Sequence, residues 1–598
     1  MIDYSTLNPE QHNAVMFDHR RILCLAGAGT GKTRVLTHRI ARLWESGVSP
    51  ENMLALTFTR AAGAEMKERV IKLIGDDGKK LFCNTFHAFC ADVIREFADQ
   101  LGYEPNFSIY GQQEADELMQ GVIDDFHYKL TLKKIVLFRA GDYSGLSPIE
   151  IKQTERAVKD YKYRLKRNNA FDFDELINTV KLALHSNIKI QSILHTRYTH
   201  VFVDEFQDTD PEQWDIIQAV APDHIFIVGD DFQSIYGFRG SDVGIIIALA
   251  ANPKWLPIKL ERNYRSTQPI VAAANALIKI NYPNYKTYKT LISDLEGPDV
   301  DFREPDGYEA EIAEIIPRLK ENQSFARSYT TAIIARTNKQ IAMVKARLAA
   351  ANVPYETISS ADNPFNSEKA RLLLAWLAAI ENPQDDIAVA KIASTRMAKT
   401  VFLELEMLQL AAGDSSLMDV MNNTDAGKEF KSFFERASNV FYNEESFIGG
   451  IGQLDRYIKN LLHYAEPSVL TAIYAWQKRQ ESLGEPVTIS GLIDFARTST
   501  MSDWQAKERT ADKTYLMTAH GSKGLEFDEV YIIGATQGVF PSLRADIKEE
   551  RRLFYVAMTR AREYLNISSP LAVADWGGHY KQAVRSQFVF EALQMDRI

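Results

Sequence analysis

Ala26-Gly27-Ala28-Gly29-Thr30-Gly31-Lys32-Thr33 is a glycine-rich run closed by a lysine and a hydroxyl residue. Glycines let successive backbone N–H groups wrap phosphate oxygens, and a helix starting at the lysine adds positive potential at its N-terminus. In this pattern Lys32 reaches the terminal phosphates and the Thr33 hydroxyl ligates Mg²⁺, with Arg34 as the next candidate contact. The strict form of the loop has Gly where Ala26 stands. A second run, Val201-Phe202-Val203-Asp204-Glu205, ends an apolar strand in two acids. An acid at such a strand end can hold a magnesium shell, and a carboxylate beside it can take the proton of an attacking water. Asp204 therefore reads as a metal ligand with Thr33, and Glu205 as a general base. Each run has a bland reading: a turn that merely starts a helix, and an acidic strand end in solvent. Lys32-Thr33 in strand–loop–helix context favours triphosphate hydrolysis instead.

The elements that position these groups alternate. Arg21 to Leu25 reads as a buried strand, followed by helical spacing of Leu36, Ile40, Leu43 and Trp44. Met53 to Leu56 reads as a second strand, with a helix from about Ala61. This alternation predicts a parallel sheet covered by helices. From about Glu96 to Leu194 the pattern turns helical and polar, and strands return at Val201–Val203 and Ile225–Val228. The middle segment thus looks inserted into one sheet domain. A second α/β unit begins near Leu260, with strands at Ala332–Ala335, Tyr515–Met517 and Val530–Ile533. It is interrupted by an all-helical stretch, about 362 to 505. The expected division is 1–95 with 195–260, insertion 96–194, 261–361 with 506–598, and insertion 362–505. Leu372 to Ile380 is the most apolar helical stretch, too short to span a bilayer, and reads as a buried helix.

Composition narrows the class. With 45% hydrophobic and 25% charged residues, the 598-residue chain is neither disordered nor a disulfide scaffold. The net charge of −10 excludes a blanket nucleic-acid binder but not a local basic groove. Three cysteines (Cys24, Cys83 and Cys90) form no CxxC pair, which excludes a four-cysteine metal centre and suits a reducing, cytoplasmic compartment. No secretory signal is read at the N-terminus, and no membrane partner is expected.

Further motifs follow in order: Leu7-Asn8-Pro9-Glu10-Gln11, Thr57-Phe58-Thr59, Thr85-Phe86-His87, Val228 to Gly240, Asn263-Tyr264-Arg265-Ser266-Thr267, Met517 to Phe527, and Tyr555 to Ala561. In this arrangement the chain resembles, nearly end to end, the UvrD/Rep/PcrA group of superfamily 1 DNA helicases. The resemblance implies two RecA-like parallel-sheet motor domains, each with a mainly helical insertion. It implies ATP with Mg²⁺ as cofactors, and single-stranded DNA and ss/ds junctions as partners. It puts Gln11 on the adenine edge, Tyr264 stacked on adenine and Glu526 on the ribose. Arg265 and Arg560 reach the γ-phosphate from the second domain, and Gln233 senses it from the first. ATP held from both domains implies a motor, and the resemblance alone makes it one that steps 3′ to 5′ and separates duplex. Along the strand, Thr57, Thr59 and Thr85 read as backbone hydrogen-bonders. Phe58, Tyr236 and Phe238 read as stacking platforms, with His87 and His520 as flat polar partners. Phe58 reads equally as core. Phe238 stands where relatives often carry Trp, and Arg239 links its loop to the nucleotide.

Two departures and one softer charge signal bear on function. Arg60-Ala61 replaces the usual Asn-Lys after Thr-Phe-Thr. The Gly-Ile-Gly turn that relatives usually show after Glu381-Asn382-Pro383 is missing; Ile448-Gly449-Gly450-Ile451-Gly452 comes later. The basic stretch Lys152 to Arg167 reads as a solvated helix face, the alternative being a DNA contact. The rival readings are a single-strand translocase or protein-displacing ATPase with weak unwinding alone, the motor subunit of a repair or phage-defence complex with a nuclease or repair factor as partner, and a nucleotide-gated binding module without net movement.

Overall fold

The strand Arg21–Ala26 buries five of its six residues, and Met53–Thr57 buries all five. Strands buried on both faces lack alternation, which suits a parallel sheet sandwiched by helices. In the computed structural model they lie in a six-stranded sheet ordered Phe82–Thr85, Met53–Thr57, His200–Val203, His224–Gly229, Arg21–Ala26, Leu256–Leu260. Every neighbouring pair in it is parallel. The structure describes all residues except 1, 140, 221, 238–239, 283–286, 325–328, 359–362, 460–466, 499–509, 575–579 and 596–598. Phe238 and Arg239 fall outside the described residues.

A second six-stranded parallel sheet runs Asp301–Arg303, Ala561–Ser568, Phe527–Ile532, Thr331–Ala335, Thr514–Thr518, Tyr355–Thr357. The mixed α/β class with two parallel sheets is as expected. Helix Lys32–Glu45 buries Val35, Leu36, Ile40 and Ala41 at helical spacing, and its first residue sits directly behind the glycine loop.

By contact the chain falls into two units. One comprises Met1–Thr85, Leu194–Asp362 and Met501–Ile598 and holds both large sheets; the other comprises Phe86–Ile193 and Asn363–Thr500. The boundary after Thr85 precedes the expected residue 96, because helix Phe86–Glu96 packs within the second unit, where His87 meets Phe173 edge-on at 5.0 Å.

In the second unit the two insertions are bonded to each other. The Asn382 side-chain amide donates to the carbonyls of Asn168 (2.9 Å) and Asn169 (3.0 Å). Tyr110 donates its hydroxyl to Asp385 (2.8 Å), and Arg167 pairs with Asp386 (2.7 Å). Where the Gly-Ile-Gly turn was missed, helix Asp386–Ser394 starts at once, capped by Asp385. The later Gly-Gly-Ile-Gly lies inside helix Phe447–Ile458. A Cβ on Gly450 would stand 2.8 Å from the Phe441 carbonyl, so glycine there permits close helix approach. Helix Glu368–Glu381 buries Leu373 to Ile380, as expected of the apolar stretch. The first insertion also carries a two-stranded parallel pair, Ser108–Ile109 with Ala170–Phe171. The basic stretch is helix Pro148–Arg167. Lys152, Arg156, Lys159 and Lys166 are exposed, while Arg164 pairs with Asp125 and Lys162 with Glu175.

Candidate functional site

Glycine is required where the loop turns left-handed, at Gly29 (φ 67°) and Gly31 (φ 83°). The loop's carbonyls point outward into fixed partners. Thr30 bonds the Gly27 carbonyl (2.9 Å), Asn263 that of Ala28 (2.7 Å), Tyr264 N–H that of Gly29 (2.9 Å) and Gln11 that of Thr30 (2.9 Å). Among the described residues the N–H groups of Gly29, Gly31 and Lys32 meet no protein acceptor. A row of unfilled donors at a helix N-terminus is an anion cradle. Ala26 ends the strand behind it. Lys32 and Thr33 open the helix, and Arg34 bonds Thr6 (2.5 Å).

Lys32 Nζ stands 3.1 Å from Glu205 Oε2. Asp204 closes strand His200–Val203, and one of its oxygens accepts the Glu205 N–H (3.0 Å). Glu205 adopts φ 49°, a strained setting for a non-glycine residue that turns its side chain out of the strand. Burial, reinforced by the Glu205 charge, pushes the Asp204 carboxyl up. Burial opposes ionisation of Glu205 as well, but Lys32 and Lys523 outweigh it and hold that carboxyl down. The Thr33 hydroxyl and the Asp204 carboxylate offer two hard oxygen donors. That suits Mg²⁺, which takes few protein ligands and completes its shell with phosphate and water. No larger metal-binding cluster of His, Cys, Asp and Glu occurs among the described residues.

Arg560 follows helix Ile547–Met558 and is buried. It donates to the carbonyls of Val556 (2.8 Å) and Leu525 (3.0 Å), to Thr559 Oγ1 (3.1 Å) and to Gln233 Oε1 (3.3 Å). All these acceptors are neutral; among the described residues no carboxylate pairs with this cation. Burial, with Arg265 nearby, works against its charge, and an incoming anion would relieve both penalties. Arg265 instead lies 2.6 Å from Glu526, which also pairs with Arg562. Burial disfavours the Glu526 charge, yet Arg265 and Arg562 hold that carboxyl at about 2. Glu526, expected on the ribose, thus has two arginine partners. Tyr264 is 52% exposed beside the loop, with its hydroxyl bonded to Asn8 (2.8 Å), leaving a ring face for a base. Gln11 is buried and completes the capping box of helix Pro9–Met16.

Two side chains with no role assigned above also bond here: Gln207, two residues beyond Glu205, and Lys523, inside the run Met517 to Phe527. Gln207 donates to Glu205 (2.5 Å) and accepts the Asp230 N–H (2.7 Å), tying the two acidic strand ends together. Lys523 binds Asp208 (2.5 Å) and the Gln233 carbonyl (2.9 Å). Neither carries a sequence signal of its own: Gln207 stands between Phe206 and Asp208, and Lys523 between Ser522 and Gly524.

The same lysine reaches the aromatic surface. Lys523 Nζ lies 4.5 Å from the Tyr236 ring, and Tyr236 stacks on Phe58 at 5.2 Å and 14°. Phe58 is half-buried. Thr57 is buried and bonds the Thr59 carbonyl (2.9 Å), and the Thr59 hydroxyl caps helix Arg60–Ile74. Thr85 is buried at its strand end, and His520 is half-buried in the turn His520–Ser522. His87 belongs to the other unit.

Comparison with known proteins agrees with this geometry. Residues 7–254 match the family model for the UvrD/REP helicase N-terminal domain, and residues 258–571 that for the UvrD-like helicase C-terminal domain. The ATP-dependent DNA helicase PcrA of Staphylococcus aureus is 31% identical over 613 residues, covering 94% of this chain and 83% of the relative. PcrA of Staphylococcus epidermidis is 31% identical over 611 residues, with the same coverage.

Proposed function

The chain belongs to the UvrD/Rep helicase family and is an ATP-dependent DNA helicase, and we propose that it steps 3′ to 5′ along single-stranded DNA and opens duplex at ss/ds junctions. One observation carries the nucleotide half of this reading: Arg560 is a buried guanidinium whose described partners are all neutral, within reach of Gln233 and beside Arg265. A site that keeps a desolvated cation without a counter-ion is prepared for one, and a γ-phosphate supplies it.

The steps follow from the residues. The loop amides and Lys32 take the phosphates, Tyr264 stacks on the adenine and Gln11 meets its edge. Glu526 gives up an arginine to reach the ribose. When Lys32 turns to phosphate, Glu205 loses its 3.1 Å partner and becomes free to accept a proton from water. Thr33 and Asp204 would hold Mg²⁺, which supplies charge neutralisation on the phosphates. Arg265 and Arg560 meet the charge that develops on the γ-phosphoryl group. Lys523, joined to both Asp208 and Tyr236, links this centre to the Phe58–Tyr236 platform on which bases stack. Thr57, Thr59, Thr85, His87, Phe238, Arg239 and His520 complete the proposed strand contacts.

A second reading has its own support. Helix Asp386–Ser394 and Asn382 hold the first insertion where relatives usually have a duplex-touching turn. This favours a translocase that displaces proteins and unwinds poorly alone, with a nuclease or repair factor as partner. The buried cysteines Cys24, Cys83 and Cys90, in no disulfide, suit the reducing cytoplasmic compartment proposed for this chain. No helix among the described residues is long and apolar enough to cross a membrane. ATPase and strand separation measured together on 3′-tailed, 5′-tailed and blunt duplexes decide. Unwinding restricted to 3′ tails supports the main reading. Strand-stimulated ATPase without unwinding supports the second, and unwinding from 5′ tails alone overturns both.

A further inference from the structure

Lys289 is fully buried and sits in the segment leading to the second sheet. Its ammonium lies 2.8 Å from Asp230 Oδ1, 2.8 Å from Asp231 Oδ1 and 3.7 Å from the centre of the Phe232 ring. Tyr282, from the same segment, donates to the Asp231 carbonyl (2.9 Å). The turn after strand His224–Gly229 is therefore held by a cation and a hydroxyl from outside its own sheet.

The turn carries Gln233. The second oxygen of Asp230 accepts from Gln233 Nε2 at 2.6 Å, and Gln233 Oε1 faces Arg560 at 3.3 Å. An ionised carboxylate only accepts, so it fixes the amide with nitrogen toward Asp230 and oxygen toward Arg560. Lys289 holds the other Asp230 oxygen in an ion pair at 2.8 Å. We infer that Lys289 and Asp230 are positioning residues for ATP hydrolysis: through a Lys289–Asp230–Gln233 relay, the segment leading to the second sheet sets the orientation of the amide that faces Arg560. The inference rests on the reading of Gln233 as γ-phosphate sensor. Asp230 touches no nucleotide in that reading; it acts through Gln233.

Asp230→Asn is the cleanest probe. It preserves shape and leaves Lys289 its ion pair with Asp231. It also puts an N–H₂ opposite Gln233, so the Gln233 amide turns over and presents its own donor to Arg560. The expected result is a kcat for ATP ~10²-fold lower, the size of a small misplacement, with KM changed much less. Lys289→Met should give the same split, because Asp230 loses the 2.8 Å ion pair that fixes its carboxylate opposite Gln233. Thermal melts of each variant set assay temperatures well below its midpoint. A double-mutant cycle separates positioning from mere structure. Adding Asp230→Asn to Gln233→Ala should slow turnover no further. Additive losses, or wild-type kcat in Asp230→Asn, overturn the relay. If Gln233→Ala itself turns over ATP normally, the sensor reading fails first and the inference falls with it.

Discussion

Arg560→Ala separates what a residue does for catalysis from what it does for the fold. The side chain is buried, and its four donated bonds predict the structural cost. The Val556 carbonyl keeps the Thr559 hydroxyl as a partner (3.1 Å), whereas the Leu525 carbonyl loses its described donor. One buried acceptor left unmade costs about 1–3 kcal/mol. The vacated volume adds a cavity penalty of similar size, for a total of about 2–6 kcal/mol. Against this, a desolvated cation without a carboxylate is removed, which lowers the net loss. The catalytic cost is distinct: an arginine on a transferring phosphoryl group accounts for about 10³–10⁵ in rate, or about 4–7 kcal/mol of barrier. Steady-state ATPase with saturating single-stranded oligonucleotide, run below the variant's melting midpoint, should show kcat down at least ~10³-fold with KM for ATP nearly unchanged. A defect confined to KM, or one that vanishes once the folded fraction is matched, refutes the γ-phosphate role.

Lys32→Ala removes both the proposed phosphate cation and the ion partner of Glu205, and should abolish turnover; strand-stimulated ATPase that survives rejects the loop assignment. Phe58→Ala unstacks Tyr236 and deletes one platform, so affinity for an oligothymidine should fall about 5- to 150-fold by fluorescence anisotropy at fixed salt. Unchanged affinity would show that this ring pair serves only packing. Glu311 offers a pH test. Burial raises its carboxyl from 4.5 to about 7, with Ser568 and the Gly534 N–H donating to one oxygen. The folded state therefore holds a proton that the unfolded chain has released. Stability is full below the unfolded value and declines as pH rises through about 7, by roughly 3 kcal/mol. Glu311→Gln should raise the melting midpoint at pH 8 and leave it unchanged near pH 4.5. A variant that keeps the wild-type pH slope excludes Glu311 as its source.

The nucleotide cradle was legible because its parts are local. A strand, a left-handed glycine turn and a helix start lie within thirteen residues of one another, and each has its own residue signature, as at Gly31-Lys32. The acidic strand end at Asp204-Glu205 was legible for the same reason. The edge strands Asp301–Arg303 and Tyr355–Thr357 were not, since three half-exposed residues show no period. Lys289 was invisible as well: a lysine in sequence reads as surface, and only folding brings Asp230 and Asp231 onto it. Pairings between distant segments also decided the helical unit. Nothing around Asn382 announces that its amide will bind the carbonyls of Asn168 and Asn169.

That last bond has a mechanical corollary. The backbone passes between the two units four times, after Thr85, Ile193, Asp362 and Thr500. Each helical insert is leashed at both ends to its own sheet, and Asn382, Tyr110 and Arg167 rivet one insert to the other. Such an arrangement is a closed linkage. The two inserts cannot part from one another unless the bonds of Asn382, Tyr110 and Arg167 break first.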